Sequence, residues 1–362
     1  MTVVQNDVKR HFLMHKSEYE QAANEIIFGG NYILGENVTS FEKEFAAFEN
    51  RKYCISCANG FDALFLAFNA LGIKSGDEVI MAANAYIACA NAVVRCGGMP
   101  VFCECGEDFL IDAAQIESKI TDKTKAILAV HLYGGVCDME KINAAAKKHN
   151  LYVVEDCAQS HGATLYGKIC GSESNIACFS FYPTKNMGCL GDGGCVMTND
   201  EKIAKNIEKM RNYGKNENGE FVKIGVNSRL DEIQAAFLKI RFKYLNETNK
   251  ARKEIAEFYL QNIKNKKIKL PKNTEGHVWH QFAVMCDERD RLKDYLVKQG
   301  IQTIVHYDTP IYLTKAYEFL GKKKGSFPYA EKCCAEELSL PIFEGMTKYE
   351  ARQVAEAINE FE

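Results

Sequence analysis

The segment around Lys185 carries the residue type best suited to covalent chemistry. Lys185 lies in the glycine-rich stretch Phe179–Gly194, FSFYPTKNMGCLGDGG. An apolar run over Ile176–Phe181 predicts a strand, and Pro183 ends it. A lysine beyond the end of a sheet strand can enter a cleft, where desolvation and a nearby cation lower its pKa and make the amine nucleophilic. A lysine on an exposed loop is the alternative that this segment alone leaves open.

The segment Leu151–Gly162, LYVVEDCAQSHG, places a carboxylate at the end of another apolar run. Leu151–Glu155 predicts a buried strand, and Asp156 follows at the carboxyl end, where ligands of open α/β sheets bind. Glu155 and Asp156 should point to opposite faces of the sheet. A buried carboxylate needs a cationic partner, and the protonated nitrogen of a pyridine-type cofactor would serve. A salt-bridged or capping aspartate is the alternative.

Two other strand ends carry residues suited to a phosphate and to a flat ring. The run Tyr53–Cys57 leads through Ala58–Leu64, ANGFDAL, which reads as strand, glycine turn and helix. A helix N-terminus offers free N–H groups to a phosphate, and Gly60 would let the backbone approach closely. At the end of the next strand, Tyr86 could stack on a cofactor ring. Turns of this kind are common, and an aromatic residue at such a position is more often part of the core.

These positions require a sheet whose strands are connected by helices. Between about residues 53 and 200, short apolar runs alternate with amphipathic helices, which predicts parallel crossovers and an α/β fold. The predicted strands are Glu78–Ala82, Pro100–Cys103, Ala126–His131, Leu151–Glu155, Ile176–Phe181 and Cys195–Thr198, and the predicted helices are Tyr86–Cys96 and Met139–His149.

Helices dominate beyond residue 200, and a smaller α+β domain follows them. The chain of 362 residues exceeds the roughly 100–200 residues of one ordinary domain. We expect a large domain over residues 1–245 and a small domain over residues 246–362. The predicted helices are Lys202–Arg211, Asp231–Tyr244, Lys250–Ile263, Arg289–Gln299 and Lys348–Phe361, and the predicted strands are Trp279–Cys286 and Gln302–Val305.

Composition argues against several classes of protein. A net charge of -3 gives no basic footprint for nucleic-acid binding. The fifteen cysteines are odd in number, and many fall in apolar stretches, which favours free thiols. The first residues show no apolar signal core, and no run reaches the roughly 18 apolar residues of a membrane span. The one CxxC, Cys54–Cys57, has no second ligand pair for a metal. We therefore expect a soluble, reduced, cytoplasmic protein without a metal site.

Taken together and in this order, these segments resemble the DegT/StrS-type sugar aminotransferases. The resemblance runs from Tyr32–Gly35 to about Tyr317, and its lysine segment is highly specific. Arg211–Gly214, RNYG, and Gly225–Ala235, GVNSRLDEIQA, match two further motifs of the family. The resemblance implies the aspartate-aminotransferase fold, fold type I. That fold has a large domain with a mainly parallel seven-stranded sheet, a smaller α+β C-terminal domain, and N-terminal residues, 1 to about 30, at the edge of the active site.

The resemblance also implies the cofactor and the residues that hold it. The cofactor would be pyridoxal 5'-phosphate, with pyridoxamine 5'-phosphate as its intermediate form. Lys185 would bond the cofactor and then shuttle protons, and Asp156 would pair with the pyridine nitrogen. Asn227 would reach the phosphate from the neighbouring subunit of a homodimer; a helix-cap asparagine is the alternative. The residues assigned to the cofactor are Gly60, Phe61, Tyr86, Asp156, Gln159, Ser180, Lys185 and Asn227, and those assigned to the substrate are Tyr32, His161, Tyr182, His306 and Tyr307.

Two segments resemble the branch of the family that acts on dTDP-linked 3-keto-6-deoxyhexoses, with L-glutamate as the amino donor. One is Ser160–Gly162, in which His161 could reach a sugar hydroxyl or diphosphate, or could equally be a packed, hydrogen-bonded histidine. The other contains His306 and Tyr307 and resembles the family's HYP-type segment. The sequence departs from that segment at Asp308, where proline is common, and at Tyr312, where histidine is common.

Three alternatives remain at this point. The first is an aminotransferase of the same family that uses a 4-keto sugar linked to dTDP or UDP. The second is a pyridoxamine-dependent sugar dehydratase, against which Lys185 argues because that branch has histidine at this position. The third is a non-catalytic regulator or DNA-binding protein, which the absence of a basic helix–turn–helix pattern disfavours.

Overall fold

The computed structural model describes residues 2–362. The helices in this range are α1 Val8–Met14, α2 Lys16–Gly29, α3 Glu36–Phe48, α4 Gly60–Ala70, α5 Ile87–Arg95, α6 Met139–His149, α7 Glu201–Arg211, α8 Glu232–Lys243, α9 Leu245–Asn262, α10 Arg289–Lys298, α11 Pro328–Glu336 and α12 Lys348–Asn359. The strands are β1 Tyr53–Cys57, β2 Glu78–Ala82, β3 Met99–Cys103, β4 Thr124–Val130, β5 Tyr152–Asp156, β6 Thr164–Leu165, β7 Lys168–Ile169, β8 Ile176–Ser180, β9 Gly194–Thr198, β10 Phe282–Met285 and β11 Glu337–Leu340.

A seven-stranded sheet forms the centre of the fold, in the order β1-β9-β8-β5-β4-β2-β3. Strand β9 runs antiparallel to both of its neighbours, and the other pairings are parallel. The expectation of a mainly parallel sheet is confirmed. Because the connections are crossovers, β1, β2, β5 and β8 all end at the same edge of the sheet. Residues that follow these strands therefore meet at that edge.

The strands form where the sequence is apolar and rich in β-branched residues. Val79, Ile80 and Met81 of β2 are completely buried, as are Val154 of β5 and Ile176 of β8. Strands that are covered on both faces by helices must be apolar on both faces, which explains why these segments read as continuous runs rather than as alternating ones. The helices α4, α5 and α6 contribute their apolar residues to the same core.

A second hydrophobic core lies in the C-terminal part of the chain. It combines the antiparallel pair β10–β11 with residues of α9, α10 and α12. Val3 also belongs to this core and forms a parallel bridge with Ile301, so the N-terminal residues join the C-terminal part of the fold. This second core supports a small C-terminal domain, whose boundary near residue 245 stays a prediction.

One predicted strand, Gln302–Val305, is wrong. Only Ile304 pairs, in an isolated antiparallel bridge with Ser339. The strand does not extend from Ile304 because backbone amides on both sides of this residue donate to acceptors other than the backbone carbonyl groups of β11. The amide of Gln302 donates to the carbonyl oxygen of Val3 at 2.9 Å, and the amide of His306 donates to a side-chain carboxylate.

The helices α1, α2, α3 and α11 and the strand β11 add to the elements predicted from sequence. Of residues 2–362, none belongs to a helix with both the length and the apolar character needed to cross a bilayer.

Candidate active site

Lys185 lies beyond the end of β8, and hydrogen bonds of its own amide and of the next residue fix the backbone at this point. Its own amide donates to the carbonyl oxygen of Tyr182 at 2.9 Å, closing a turn. The next residue, Asn186, is fully buried and donates to the carbonyl oxygen of Val278 and to the side-chain oxygen of Asn249, both at 2.9 Å. These contacts fix the backbone on which the lysine side chain stands.

The surroundings of Lys185 suit a nucleophilic amine. Burial lowers the pKa of its ammonium group to about 8, and the carboxylate of Asp156 opposes this shift. Asp156 ends β5 and is itself buried, which raises the pKa of its carboxyl group. Its two oxygens accept from the amide of Ala158 at 3.0 Å and from the thiol of Cys89 at 3.3 Å. The structure thus brings the lysine and the aspartate predicted from sequence to one edge of the sheet.

The N-terminus of α4 approaches β8 so closely that only glycine fits. A β-carbon on Gly60 would lie 2.5 Å from the β-carbon of Ser180. Asn59 caps the helix by accepting from the amide of Asp62 at 2.8 Å. Among residues 2–362, no acceptor is bonded to the amides of Gly60 and Phe61. Two free N–H groups at a helix N-terminus, beside a serine hydroxyl, form an anion site.

Asn227 is an exposed residue next to this anion site. Its neighbour Ser228 is fully buried, donates to the carboxylate of Asp62 at 2.7 Å and accepts from the amide of Ala58 at 3.1 Å. Asn227 itself forms an antiparallel bridge with Asn212. Ser228 therefore ties this loop to α4 within one chain, while the side chain of Asn227 is left at the surface.

Two tyrosine rings stand over the same edge of the sheet. Tyr86 precedes α5 and is half exposed, and its ring lies 4.8 Å from the ring of Tyr307, centroid to centroid. Gln159 donates to the hydroxyl of Tyr307 at 3.2 Å and accepts from the amide of Tyr133 at 2.6 Å. Gln159 thus couples the tyrosine pair to the loop that follows β4.

His306 lies beside these rings. Its Nδ1 is 2.8 Å from the hydroxyl of Ser339, and its carbonyl oxygen accepts from the hydroxyl of Tyr133. Burial lowers the pKa of His306 to about 4, and the charge of Lys185 acts in the same direction. His306 is therefore a neutral imidazole close to the lysine.

Of the other three predicted substrate residues, His161 is buried within range of the charge of Lys185, and Tyr32 and Tyr182 lie at the surface. His161 has no exposed surface, and neither of its ring nitrogens has a hydrogen-bond partner. Its ring packs 5.6 Å from that of Phe179 and 5.9 Å from that of Phe181, centroid to centroid. Burial lowers its pKa to about 3. This packing favours a structural role, and the assignment of His161 to the substrate stays a prediction. Tyr32 and Tyr182 are both about half exposed and lie on the surface.

A separate buried cluster lies on the other face of β5. His131, Glu155, Cys157 and Cys170 bring their ligand atoms within 4.8 Å of one another. The imidazole Nδ1 accepts from the amide of Cys137 at 3.0 Å, so its proton is on Nε2, which donates to Glu155 at 3.2 Å. Both nitrogens of this ring are thus engaged in hydrogen bonds within the protein.

Comparison with known proteins decides the family. The model of the DegT/DnrJ/EryC1/StrS aminotransferase family matches residues 14–359. The chain belongs to this family. It is 47% identical over 358 residues to the dTDP-3-amino-3,6-dideoxy-alpha-D-galactopyranose transaminase of Aneurinibacillus thermoaerophilus, covering 98% of each chain.

Two solved structures of the family resemble it closely. The first is DesV of S. venezuelae in complex with a ketimine intermediate, which has a TM-score of 0.97 and 40% identity and covers 99% of this chain and 98% of its own. The second is the Bacillus subtilis protein NtdA with bound cofactor PMP, which has a TM-score of 0.91 and 32% identity and covers 97% of this chain and 83% of its own. The predicted fold type I is confirmed, and the chain is a pyridoxal-phosphate-dependent aminotransferase.

The described residues fit pyridoxal phosphate. The amides of Gly60 and Phe61 have no acceptor within the described residues, so both are free to donate to a phosphate. A β-carbon at residue 60 would fill the space beside them. Lys185 supplies an amine of lowered pKa, and Asp156 supplies a buried carboxylate. Groups suited to the phosphate and to the pyridine nitrogen are therefore present at the same edge of the sheet.

Sequence reasoning missed several residues of this site. Tyr133 has a left-handed backbone with φ 60° and bonds both Gln159 and His306, and only the glycine pair after it, Gly134–Gly135, signalled a tight turn. Cys89 is a buried core residue whose thiol also donates to Asp156, and nothing in its apolar segment indicates that contact. Glu337 and Ser339, which bond His306, lie on β11, and no sequence pattern predicted that strand.

Proposed function

We propose that this protein transfers the amino group of L-glutamate to the keto carbon of a dTDP-linked 3-keto-6-deoxyhexose. The product would be a dTDP-3-amino-3,6-dideoxyhexose. One observation carries the proposal: a lysine amine of lowered pKa and a buried carboxylate share the carboxyl edge of the sheet with an anion site. The choice of sugar is supported by the 47% identity to a transaminase named for such a product.

Each residue of the site has a part in this reaction. Bound pyridoxal phosphate supplies an electron sink that makes the proton on the carbon beside the amino nitrogen removable. Lys185 would hold the cofactor and then carry that proton between two carbon atoms. The carboxylate of Asp156 would keep the pyridine nitrogen protonated, and Gln159 would lie near the ring hydroxyl. Tyr86 would cover the ring.

The phosphate and the sugar would occupy neighbouring parts of the same edge. The amides of Gly60 and Phe61 would hold the phosphate with the hydroxyl of Ser180. The sugar would lie beside His306 and Tyr307, because these rings flank Tyr86 and the lysine. Glutamate would react first and the keto sugar second, which gives ping-pong kinetics.

The working unit we propose is a homodimer in the cytoplasm. Asn227 lies exposed beside the phosphate loop of its own chain. As the family resemblance implies, its side-chain amide would reach the phosphate of the neighbouring subunit. Fifteen free cysteines support a reducing compartment.

The test is a substrate comparison on the purified holoenzyme with L-glutamate as donor. We expect the dTDP-linked 3-keto-6-deoxyhexose to give an amino sugar at a kcat/KM at least about tenfold above those of dTDP- and UDP-linked 4-keto sugars. A preference for a 4-keto sugar would overturn the substrate and keep the enzyme class. No amino transfer to any of them would overturn the proposal.

A further inference from the structure

A buried acid, a hydroxyl and an imidazole form a hydrogen-bonded chain beside the site. Glu337 and Ser339 lie on the same strand, β11, and are 1% and 0% exposed. One carboxylate oxygen of Glu337 is 2.6 Å from the hydroxyl of Ser339, and that hydroxyl is 2.8 Å from Nδ1 of His306. The other carboxylate oxygen accepts from the amide of His306 at 2.5 Å. We refer to these three side chains as the β11 relay.

The relay links the protonation of Glu337 to that of the imidazole. A hydroxyl has a single proton, so Ser339 can donate to only one of its two partners. If the carboxyl group is protonated, it donates to Ser339, Ser339 donates to Nδ1, and Nε2 of His306 carries the proton. If the carboxylate is ionised, both bonds reverse, and Nε2 becomes an acceptor. Among residues 2–362, Nε2 has no hydrogen-bond partner of its own.

Contacts around His306 place it at the edge of the site. The following residue, Tyr307, packs against Tyr86 and accepts from Gln159. The hydroxyl of Tyr133 donates to the carbonyl oxygen of His306, and the amide of Tyr133 donates to Gln159. His306 is thus fixed through its backbone as well as through the relay, and only Nε2 is left to bind a ligand.

We propose that Glu337 and Ser339 are positioning residues that make Nε2 of His306 a hydrogen-bond donor to an oxygen of the bound keto sugar. This inference rests on the proposed function. Both residues are buried and bond His306, so their effect on the sugar would pass through the imidazole. An imidazole with its proton fixed on Nε2 favours sugars that have an acceptor oxygen at this position. A sugar that lacks the acceptor leaves the donor unpaired and binds more weakly.

The burial of Glu337 favours the protonated acid at neutral pH. Burial raises the pKa of this carboxyl group to about 8, although Ser339, the amide of His306 and the positive charge of Arg289 oppose the shift. Tyr133 and Cys334 also face it, and both are neutral near pH 7 because burial raises their pKa. Donation by Nε2 should therefore persist at neutral pH and be lost as the pH rises above about 8.

The kinetic test separates the two half-reactions. We expect Ser339→Ala to slow the return of pyridoxamine-loaded enzyme to its visible absorbance with the keto sugar by about tenfold, the effect of one lost hydrogen bond. The glutamate half-reaction should be unchanged. In Glu337→Gln the side-chain oxygen should accept from the amide of His306, which leaves the NH2 group to donate to Ser339. The sugar half-reaction should therefore keep its rate at pH 7 and lose its decline above pH 8. Glu49→Gln, which changes a buried carboxyl group without a hydrogen-bond partner, is the matched control.

A second readout needs no substrate. In protein labelled with ¹⁵N-histidine, the ring signals of His306, identified by their absence in His306→Gln, should show a proton on Nε2 at pH 7 and on Nδ1 at pH 9.5. Glu337→Gln should keep the proton on Nε2 at both. If the tautomer of His306 still changed between pH 7 and pH 9.5 in Glu337→Gln, or if Ser339→Ala slowed both half-reactions equally, the relay would be overturned. Because this spectrum is recorded without sugar, failure of the relay is distinguishable from failure of the proposed reaction.

Discussion

The reactivity of Lys185 depends on its surroundings, because a lysine in water is protonated at neutral pH. Below its pKa the amine cannot attack an aldehyde, and burial has lowered that pKa to about 8. We expect the rate at which the cofactor-free protein attaches pyridoxal phosphate to rise with pH and to level off above about 8. An ordinary lysine would keep gaining reactivity up to about pH 10. Stopped-flow absorbance of the bound cofactor measures this rate.

Removal of the amine provides the complementary experiment. Lys185→Ala should lose the visible absorbance of covalently held cofactor and lower the transfer rate by at least about 10³-fold, since both the attachment point and the proton carrier are gone. Lys168→Ala, at an exposed lysine paired with Glu173, is the control and should change neither. Persistent absorbance in Lys185→Ala would contradict the assignment.

The carboxylate of Asp156 matters through its charge as well as its hydrogen bonds. Asp156→Asn keeps the size of the side chain but cannot stabilise a protonated pyridine nitrogen. We expect the rate to fall by about 10²- to 10³-fold, the usual cost of removing one preorganised electrostatic contact. Asp138→Asn, at an exposed acid that caps α6, should leave the rate unchanged. A wild-type rate in Asp156→Asn would show that the cofactor nitrogen has another partner.

At the scale of elements, the sequence predicted what local patterns determine. The strands of the central sheet are short apolar runs, and helix α6 was predicted with the bounds it has in the structure, Met139–His149. Lys185, Asp156, Gly60 and Tyr86 could be found because each lies at the end of a strand or a few residues beyond it, and strand ends meet at one edge of a parallel sheet.

What could not be predicted depends on contacts between distant segments. Ser339 reaches His306 only because an isolated bridge to Ile304 aligns the two segments, 35 residues apart at that bridge. The burial of His161 likewise depends on the rings packed around it, and no spacing in its own segment indicates it. Such positions are set by tertiary packing, which overrides local pattern.

The close approach of α4 and β8 makes Gly60→Ala the sharpest test of the phosphate cradle. Its methyl group would lie 2.5 Å from the β-carbon of Ser180, so the helix N-terminus must move. We expect about 1–3 kcal/mol of lost stability, typical of overpacking, together with weaker cofactor binding. Thermal unfolding and a titration of the cofactor-free protein with pyridoxal phosphate measure the two effects.

Gly29→Ala is the matched control, since a β-carbon there meets nothing within 4 Å. Cofactor binding and stability should stay near wild type in this variant. If Gly60→Ala bound the cofactor as tightly as Gly29→Ala, the phosphate would have to lie elsewhere.

At the scale of the whole molecule, an exposed apolar loop precedes Asn227. Phe221 is 73% exposed and Ile224 is 95% exposed, on a turn in which Lys215 bridges Phe221. Because large exposed apolar side chains on one short segment are typical of protein–protein contacts, we expect the second subunit of the proposed dimer to cover this loop. Because Ser228 ties this segment to the phosphate loop, a partner that covers it would bring the two sites close together.

A mixed dimer tests whether the sites are shared. Lys185→Ala and Asn227→Ala subunits, co-expressed with different tags and purified through both, would form a heterodimer. If the asparagine serves its neighbour's phosphate, one site lacks both residues and the other has both, so the heterodimer should show about half the wild-type activity per dimer. Each variant dimer alone should show a small fraction of it. If the asparagine served its own subunit, neither site would be intact, and the heterodimer would be no more active than the Asn227→Ala dimer.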